Sequence, residues 1–158
     1  MKRLSRHALP ALLMALALPA AAAEKPAAKA PDFAAMIARA DAAWTTLKAE
    51  NVAAFYAKDA DLAFYDIAPF RYAGWTAYRD GAQKLFLDGA KSLKFVPNND
   101  LKTTRRGSVA WSTRTVHLSA EMKEGKPLEL DCRHTIIWEN RGGKWLIVHE
   151  HFSTPLPG

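Results

Sequence analysis

A single cysteine, Cys132, stands in this chain of 158 residues, so no internal disulfide can form and stability has to come from packing. No apolar run beyond residue 31 approaches the roughly 20 residues that span a bilayer. Past the same point there is no internal repeat and no low-complexity segment, so one compact domain is expected. Ser153 lacks a nucleophile elbow around it, which removes hydrolase chemistry of the serine type. The net charge of +6 halves once Lys2, Arg3 and Arg6 are set aside with an N-terminal signal. Lys91, Lys94, Lys102, Arg105 and Arg106 are dispersed and read as a solvated face, so no nucleic-acid partner is expected.

What is present begins with that signal. Lys2, Arg3 and Arg6 precede an apolar stretch from Ala8 to Leu18, a break at Pro19, and the small residues Ala21-Ala22-Ala23 before Glu24. Residues 1–23 read as a signal peptide, because an apolar run interrupted by Pro10 and Pro19 is too short to anchor the chain. The expectation is a periplasmic or secreted protein with no membrane contact after cleavage. Residues 24–31 (EKPAAKAP) are a Pro/Ala/Lys tether, and residues 32–158 are the folded domain.

Asp32 stands at a helix N-cap, and Phe33, Met36, Ile37, Ala40, Trp44 and Leu47 recur at helical spacing to about Glu50. A short second helix carries Val52, Phe55 and Tyr56. Leu62, Phe64 and Asp66 alternate with Ala63, Tyr65 and Ile67, which predicts a strand whose last inward position is a carboxylate. Trp75, Tyr78, Ala82, Leu85 and Phe86 predict another helix, stopped near Gly89. From Ser92 the period switches to two, with strands about Leu93 to Val96, Val109 to Met122, Leu128 to Trp138 and Lys144 to Phe152. Helices first and long strands second is the α+β pattern, helices packed on one face of a curved antiparallel sheet.

Alternation puts Leu128, Leu130, Cys132, His134, Ile136 and Trp138 on one face of their strand. On the last strand it groups Trp145, Ile147, His149, His151 and Ser153 against Leu146, Val148, Glu150 and Phe152. Both groups are partly apolar, and one is expected to be covered by a second copy of the chain. Asp66, His134, His149 and His151 are thus predicted to converge on one interior, where ionisable groups need partners or a wet cavity. The alternative is a set of structural histidines bonded to one another and to Asp66. His149 and His151 on one strand side also suit a metal, with His134, Asp66 or His117 as a third ligand, but no spacing demands it, and neither metal nor cofactor is expected. Cys132 reads as packing. Tyr65, Tyr72, Trp75, Tyr78 and Trp111 are candidate walls of an apolar ligand pocket, or plain core.

Several stretches carry a family resemblance: Phe55-Tyr56-Ala57 with Asp59-Ala60, Tyr65-Asp66-Ile67, Pro69 with Tyr72-Ala73-Gly74, and above all Gly143-Lys144-Trp145-Leu146-Ile147-Val148-His149-Glu150-His151-Phe152-Ser153 with Pro155. Over about residues 32 to 155 the chain resembles the SnoaL-like branch of the nuclear transport factor 2-like superfamily. It is also similar to steroid delta-isomerases and to the association domain of calcium/calmodulin-dependent kinase II. The resemblance implies a cone-shaped, strongly curved sheet wrapped around helices, a pocket at its open end, and frequent dimers. It places Asp66 near the proton-abstracting aspartate of the isomerases, with Ala43 and Trp44 where those enzymes keep an oxyanion-binding tyrosine. Thr113 and Ile136 fall where the kinase domain carries pocket arginines. The reading that follows is an exported pocket protein binding a small, largely apolar ligand, with isomerase- or cyclase-type proton transfer. The competing reading is a non-catalytic homodimeric assembly domain.

Overall fold

The structure, a computed structural model, describes residues 31–67 and 69–156. The signal-peptide reading and nearly all of the tether lie outside the described residues. The N-cap expectation holds: the backbone N–H of Ala35 donates to Asp32 Oδ1 at 2.9 Å and opens α1, Phe33–Trp44. Phe33, Ile37, Ala40 and Trp44 form its buried stripe. The helix is shorter than the periodicity suggests, because Leu47 turns into the left-handed region at φ 59° and breaks the ladder. Ala49–Phe55 then forms a 3₁₀ helix.

Two short strands follow, β1 (Ala63–Phe64) and β2 (Tyr72–Ala73), paired antiparallel and leading directly into α2, Gly74–Leu85. Gly74 has φ 74°, and a Cβ there would lie 3.1 Å from the Ala60 carbonyl oxygen, so the entry into α2 requires glycine. A second 3₁₀ turn, Leu87–Gly89, delivers the chain to the sheet.

The main sheet has five strands: β3 (Ala90–Pro97), β4 (Lys102–Arg106), β5 (Val109–Met122), β6 (Leu128–Arg141) and β7 (Lys144–Ser153). Its order is β3-β5-β6-β7, with β4 pairing β5 beyond β3, and all pairs are antiparallel. β4 is absent from the alternation reading because three of its five residues are basic; Lys102, Arg105 and Arg106 are exposed along a sheet edge, where charge discourages further pairing. The other edge, β7, is covered by the backbone at Ala57 and Tyr65: the Ala57 N–H donates to the Ile147 carbonyl, the Tyr65 N–H to the Glu150 carbonyl and the Phe152 N–H to the Tyr65 carbonyl. This is the expected α+β arrangement, an open antiparallel sheet with the helices on its inner face.

One irregularity decides which residues the interior receives. Ile137 faces His149 while Trp138 faces Ile147, so Val148 is an extra residue in β7. A bulge of one residue reverses the side-chain parity beyond it. Trp145 and Ile147 point inward as expected, but after the bulge the inward positions are Glu150 and Phe152, not His149 and His151. Above the sheet, Phe33 packs on Trp138 and Trp145 at ring distances of 5.4 and 5.1 Å, and Tyr56, Phe64, Trp75 and Tyr78 interlock around Trp44.

Candidate functional site

The bulge puts a carboxylate into the densest part of the core. Glu150 Oε2 accepts the hydroxyl protons of Tyr56 and, at 3.0 Å, of Tyr78. Its Oε1 lies 2.7 Å from His134 Nε2. On the far side of that ring, Arg114 Nε donates to His134 Nδ1 at 3.0 Å, and the two terminal guanidinium nitrogens hold both oxygens of Asp41 at 2.7 Å. Arginine can only donate, so His134 Nδ1 is an acceptor, Nε2 carries the proton, and the imidazole donates it to Glu150. Trp44 Nε1 donates to the Tyr56 hydroxyl at 3.3 Å and completes the chain. Burial alone would push the Glu150 carboxyl up; three donated protons outweigh it and hold the group below the usual glutamate range. Burial and the Glu150 charge drive the Tyr56 and Tyr78 phenols well above theirs, so both keep their protons.

Beside this network lies a hollow of about 520 Å³ between α2, the start of β6, and Asp66, Ile67, Pro69 and Tyr72. Its walls are Leu93, Phe95, Leu118, Leu128, Leu130 and Phe152 on the sheet side, with Trp44, Tyr72, Tyr78, Ala82 and Phe86 opposite. Asp66 is the one acidic or basic side chain among the described residues that line it. The Ile67 N–H donates to its Oδ1 at 2.7 Å, and no Lys, Arg or His forms an ion pair with it among the described residues. Desolvation therefore dominates, helped by the Glu150 charge, and the carboxyl is raised to about 6 against the pull of the Ile67 hydrogen bond. Burial and the Asp66 charge in turn push the Tyr72 phenol up to about 12.

The expected residues divide accordingly. Asp66, Tyr72 and Tyr78 line the hollow. His134 is buried as expected, but the Phe152 ring stacks on it at 3.9 Å and stands between it and the hollow. His149 and His151 do not join them: the Val148 bulge turns both outward. His149 Nδ1 donates to the Ala63 carbonyl at 2.7 Å, and Tyr65 lays its ring edge-on to both imidazoles. Tyr65 and His151 flank a second, outer hollow that shares Asp66 with the first. Trp75 is core, stacked on Tyr56 at 4.5 Å. Trp111 is 40% exposed on the outer sheet face because its partners on β5 alternate inward without it. His117 lies on that outer face between Asp131 and Glu129, at 2.8 Å from each. Among the described residues no three His, Cys, Asp or Glu side chains gather as a metal requires.

The residue pattern does not single out Arg114 or Asp41, puts Glu150 on the face opposite His149 and His151, and gives Tyr56 no polar role. Arg114 had a signal: it alternates inward with Ala110, Ser112, Val116 and Leu118. Glu150 had only a weak one, the adjacent apolar pair Ile147-Val148, which leaves the parity of the strand open.

Gly81 sets the position of Tyr72. A Cβ at Gly81 would lie 2.1 Å from Tyr72 Cε1, so the phenol occupies the space of the missing side chain. Alanine would improve the helix by about 1 kcal/mol, yet the overlap costs about 1–3 kcal/mol in a packed wall. Gly81→Ala is expected to lower the denaturation midpoint and to disturb the hollow; a stabilised variant with unchanged ligand affinity would show that Tyr72 is loosely held.

A family model of the SnoaL-like domain matches residues 32–157. Among solved structures, a domain from Xanthomonas campestris provisionally assigned as a calcium/calmodulin-dependent protein kinase II association domain is 25% identical, with a TM-score of 0.67, covering 78% of this chain and 86% of that one. A nuclear transport factor 2-like superfamily protein from Salmonella enterica serovar Typhimurium is 15% identical with a TM-score of 0.70, covering 77% and 87%. A provisionally assigned ketosteroid isomerase from Shewanella frigidimarina is 22% identical with a TM-score of 0.61, covering 75% and 92%. The last two share the fold. No curated protein matches the sequence.

Proposed function

The chain belongs to the SnoaL-like domain family of the nuclear transport factor 2-like superfamily, and on that basis we propose that it binds a small, largely apolar molecule in the hollow and that Asp66 takes a proton from it. The observation that carries this reading is Asp66 itself, an unpaired carboxyl on an otherwise apolar wall, raised to about 6. A structural carboxylate in this position would be expected to have a cationic partner; a base has to be desolvated and available. The fixed network of Glu150, His134 and Arg114 supports the opposite wall and keeps Tyr78 in one place. Proton transfer to a carboxylate is the step that isomerases and cyclases of this general kind share, and the walls fit the apolar body of such a substrate. The test uses the neutral fluorophore N-phenyl-1-naphthylamine. Wild type is expected to bind it, and Ala82→Trp, which fills the hollow, to bind it at least about tenfold more weakly. Equal binding by both would place the ligand elsewhere.

A second reading, homodimer formation, is favoured by the outer face of the sheet. Trp111, Ile137 and His149 lie in one row across β5, β6 and β7, beside Val109, which is 39% exposed. Leu146 and Val148 border this face as expected, whereas Phe152 is in the core. Trp111→Glu is expected to shift the protein from dimer to monomer in size-exclusion chromatography with light scattering. A monomeric wild type at micromolar concentration would remove this reading. Export is part of the same proposal, and an intact mass beginning at Glu24 in protein from its own host would support it.

A further inference from the structure

The direction of every proton in the network constrains what the hollow can recognise. Glu150 is ionised and has no proton to give, so Tyr56 and Tyr78 must both donate to it. His134 donates to the other oxygen, because Arg114 occupies Nδ1 as a donor. Trp44 Nε1–H is committed to Tyr56. Trp44 and Tyr78 line the hollow, yet their N–H and O–H point into the core toward Tyr56 and Glu150. Tyr72, the remaining phenol of the wall, is engaged in interactions of its own. Tyr72 apart, what the polar side chains of the wall present to a guest is an acceptor, the Asp66 carboxylate, whose one donor among the described residues is the Ile67 N–H.

We infer that Glu150 is a specificity-determining positioning residue that turns the wall's donors away from the hollow, so that the ligand is an apolar molecule carrying its own hydrogen-bond donor, an alcohol, phenol or amine N–H, seated on Asp66. This rests on the proposed pocket and names its ligand class. A guest whose only polar atom is an ether or carbonyl oxygen gives up its hydrogen bonds to water and finds no donor on Trp44 or Tyr78 in return. The same geometry makes an O–H or N–H, rather than a carbonyl needing a donor-lined cradle, the group presented to the base.

The test is calorimetric binding, at pH 7.5, of three compounds with one apolar body to the whole chain: 2-naphthol, 2-methoxynaphthalene and 2-acetonaphthone. Wild type is expected to prefer 2-naphthol by about tenfold or more. In Asp66→Asn, whose amide also offers a donor, that preference is expected to shrink to within about threefold and the ketone to gain. Three wild-type affinities within threefold of one another would overturn the donor requirement and leave the pocket standing. An Asp66→Asn protein that keeps the full preference would overturn the role given to Asp66. Binding of none of the three would overturn the pocket reading together with this inference.

Discussion

Asp66→Asn is expected to stop proton transfer and, at the same time, to make the protein more stable above pH 7. Removing a positioned base costs about 10²–10⁴ in rate. The readout is exchange of the C1 hydrogen of bound 2-naphthol in D2O: Asp66 takes the hydroxyl proton, the naphtholate takes a deuteron from solvent at C1, and the C1 proton then leaves to Asp66 or water as the aromatic ring is restored. In wild type the rate is expected to rise with pH through about 6, because the base acts only when ionised. The stability effect has the opposite sign to that of most buried-site substitutions. The folded carboxyl titrates at about 6 and the ordinary value is 3.8, so folding favours the protonated form. Stability from this group is complete below pH 4 and lost as pH rises through 6, a loss of about 2–3 kcal/mol, reduced where water reaches the carboxyl. Asparagine does not titrate. Chemical denaturation at pH 4 and pH 8 is expected to show the variant gaining about 2 kcal/mol relative to wild type across that window. A difference that stays constant between the two pH values would mean that Asp66 is as well solvated folded as unfolded.

Glu150→Ala is expected to be the most damaging single substitution in the domain, at about 3–5 kcal/mol, enough to unfold a protein of ordinary stability. Three donors lose their acceptor at once: the Tyr56 and Tyr78 hydroxyls and the His134 Nε2–H, all in a core closed to solvent. Each orphaned group costs about 1–3 kcal/mol, and Arg114 and Asp41, bonded to each other, cannot turn to replace Glu150. Glu150→Gln keeps the volume and part of the bonding, so a smaller loss is expected. The check is the urea midpoint of both variants. A loss below about 1 kcal/mol for alanine would mean that water enters and replaces the carboxylate.

The pH behaviours of the two carboxyls run in opposite directions. Asp66 is raised, so its stabilising state is the protonated one at low pH. Glu150 is lowered, so its contribution is present above the unfolded range and disappears as pH falls. The two are distinguishable because only the first vanishes in Asp66→Asn.

Much of this arrangement was legible in the residue pattern. β6 alternates cleanly, so Cys132, His134, Ile136 and Trp138 face inward where expected. Phe64 and Asp66 follow the short strand as its spacing implies, which is how Asp66 could be identified as a candidate base. The failure on β7 has one cause. Alternation carries parity along a strand only while no residue is inserted, and the Val148 bulge breaks it two residues before Glu150. Unbroken alternation therefore points the buried carboxylate outward and the two histidines inward. Arg114 and Asp41 were missed for another reason. Their pairing joins α1 to the middle of β5, 73 positions apart in sequence, and no local period reports a contact of that range. Tyr56 has its place beside the short second helix, but the bond of its hydroxyl to Glu150 spans 94 positions and is equally invisible to a local period.

Apolar walls and the absence of an ion-pair partner among the described residues leave the Asp66 carboxyl without a compensating charge. A pH titration of the Asp66 side-chain carboxyl by carbon-detected NMR, assigned by its loss in Asp66→Asn, measures this directly. A midpoint of about 6 is expected. A midpoint at or below the ordinary 3.8 would mean that water or a cation reaches the group, and the proton acceptor would have to be sought elsewhere.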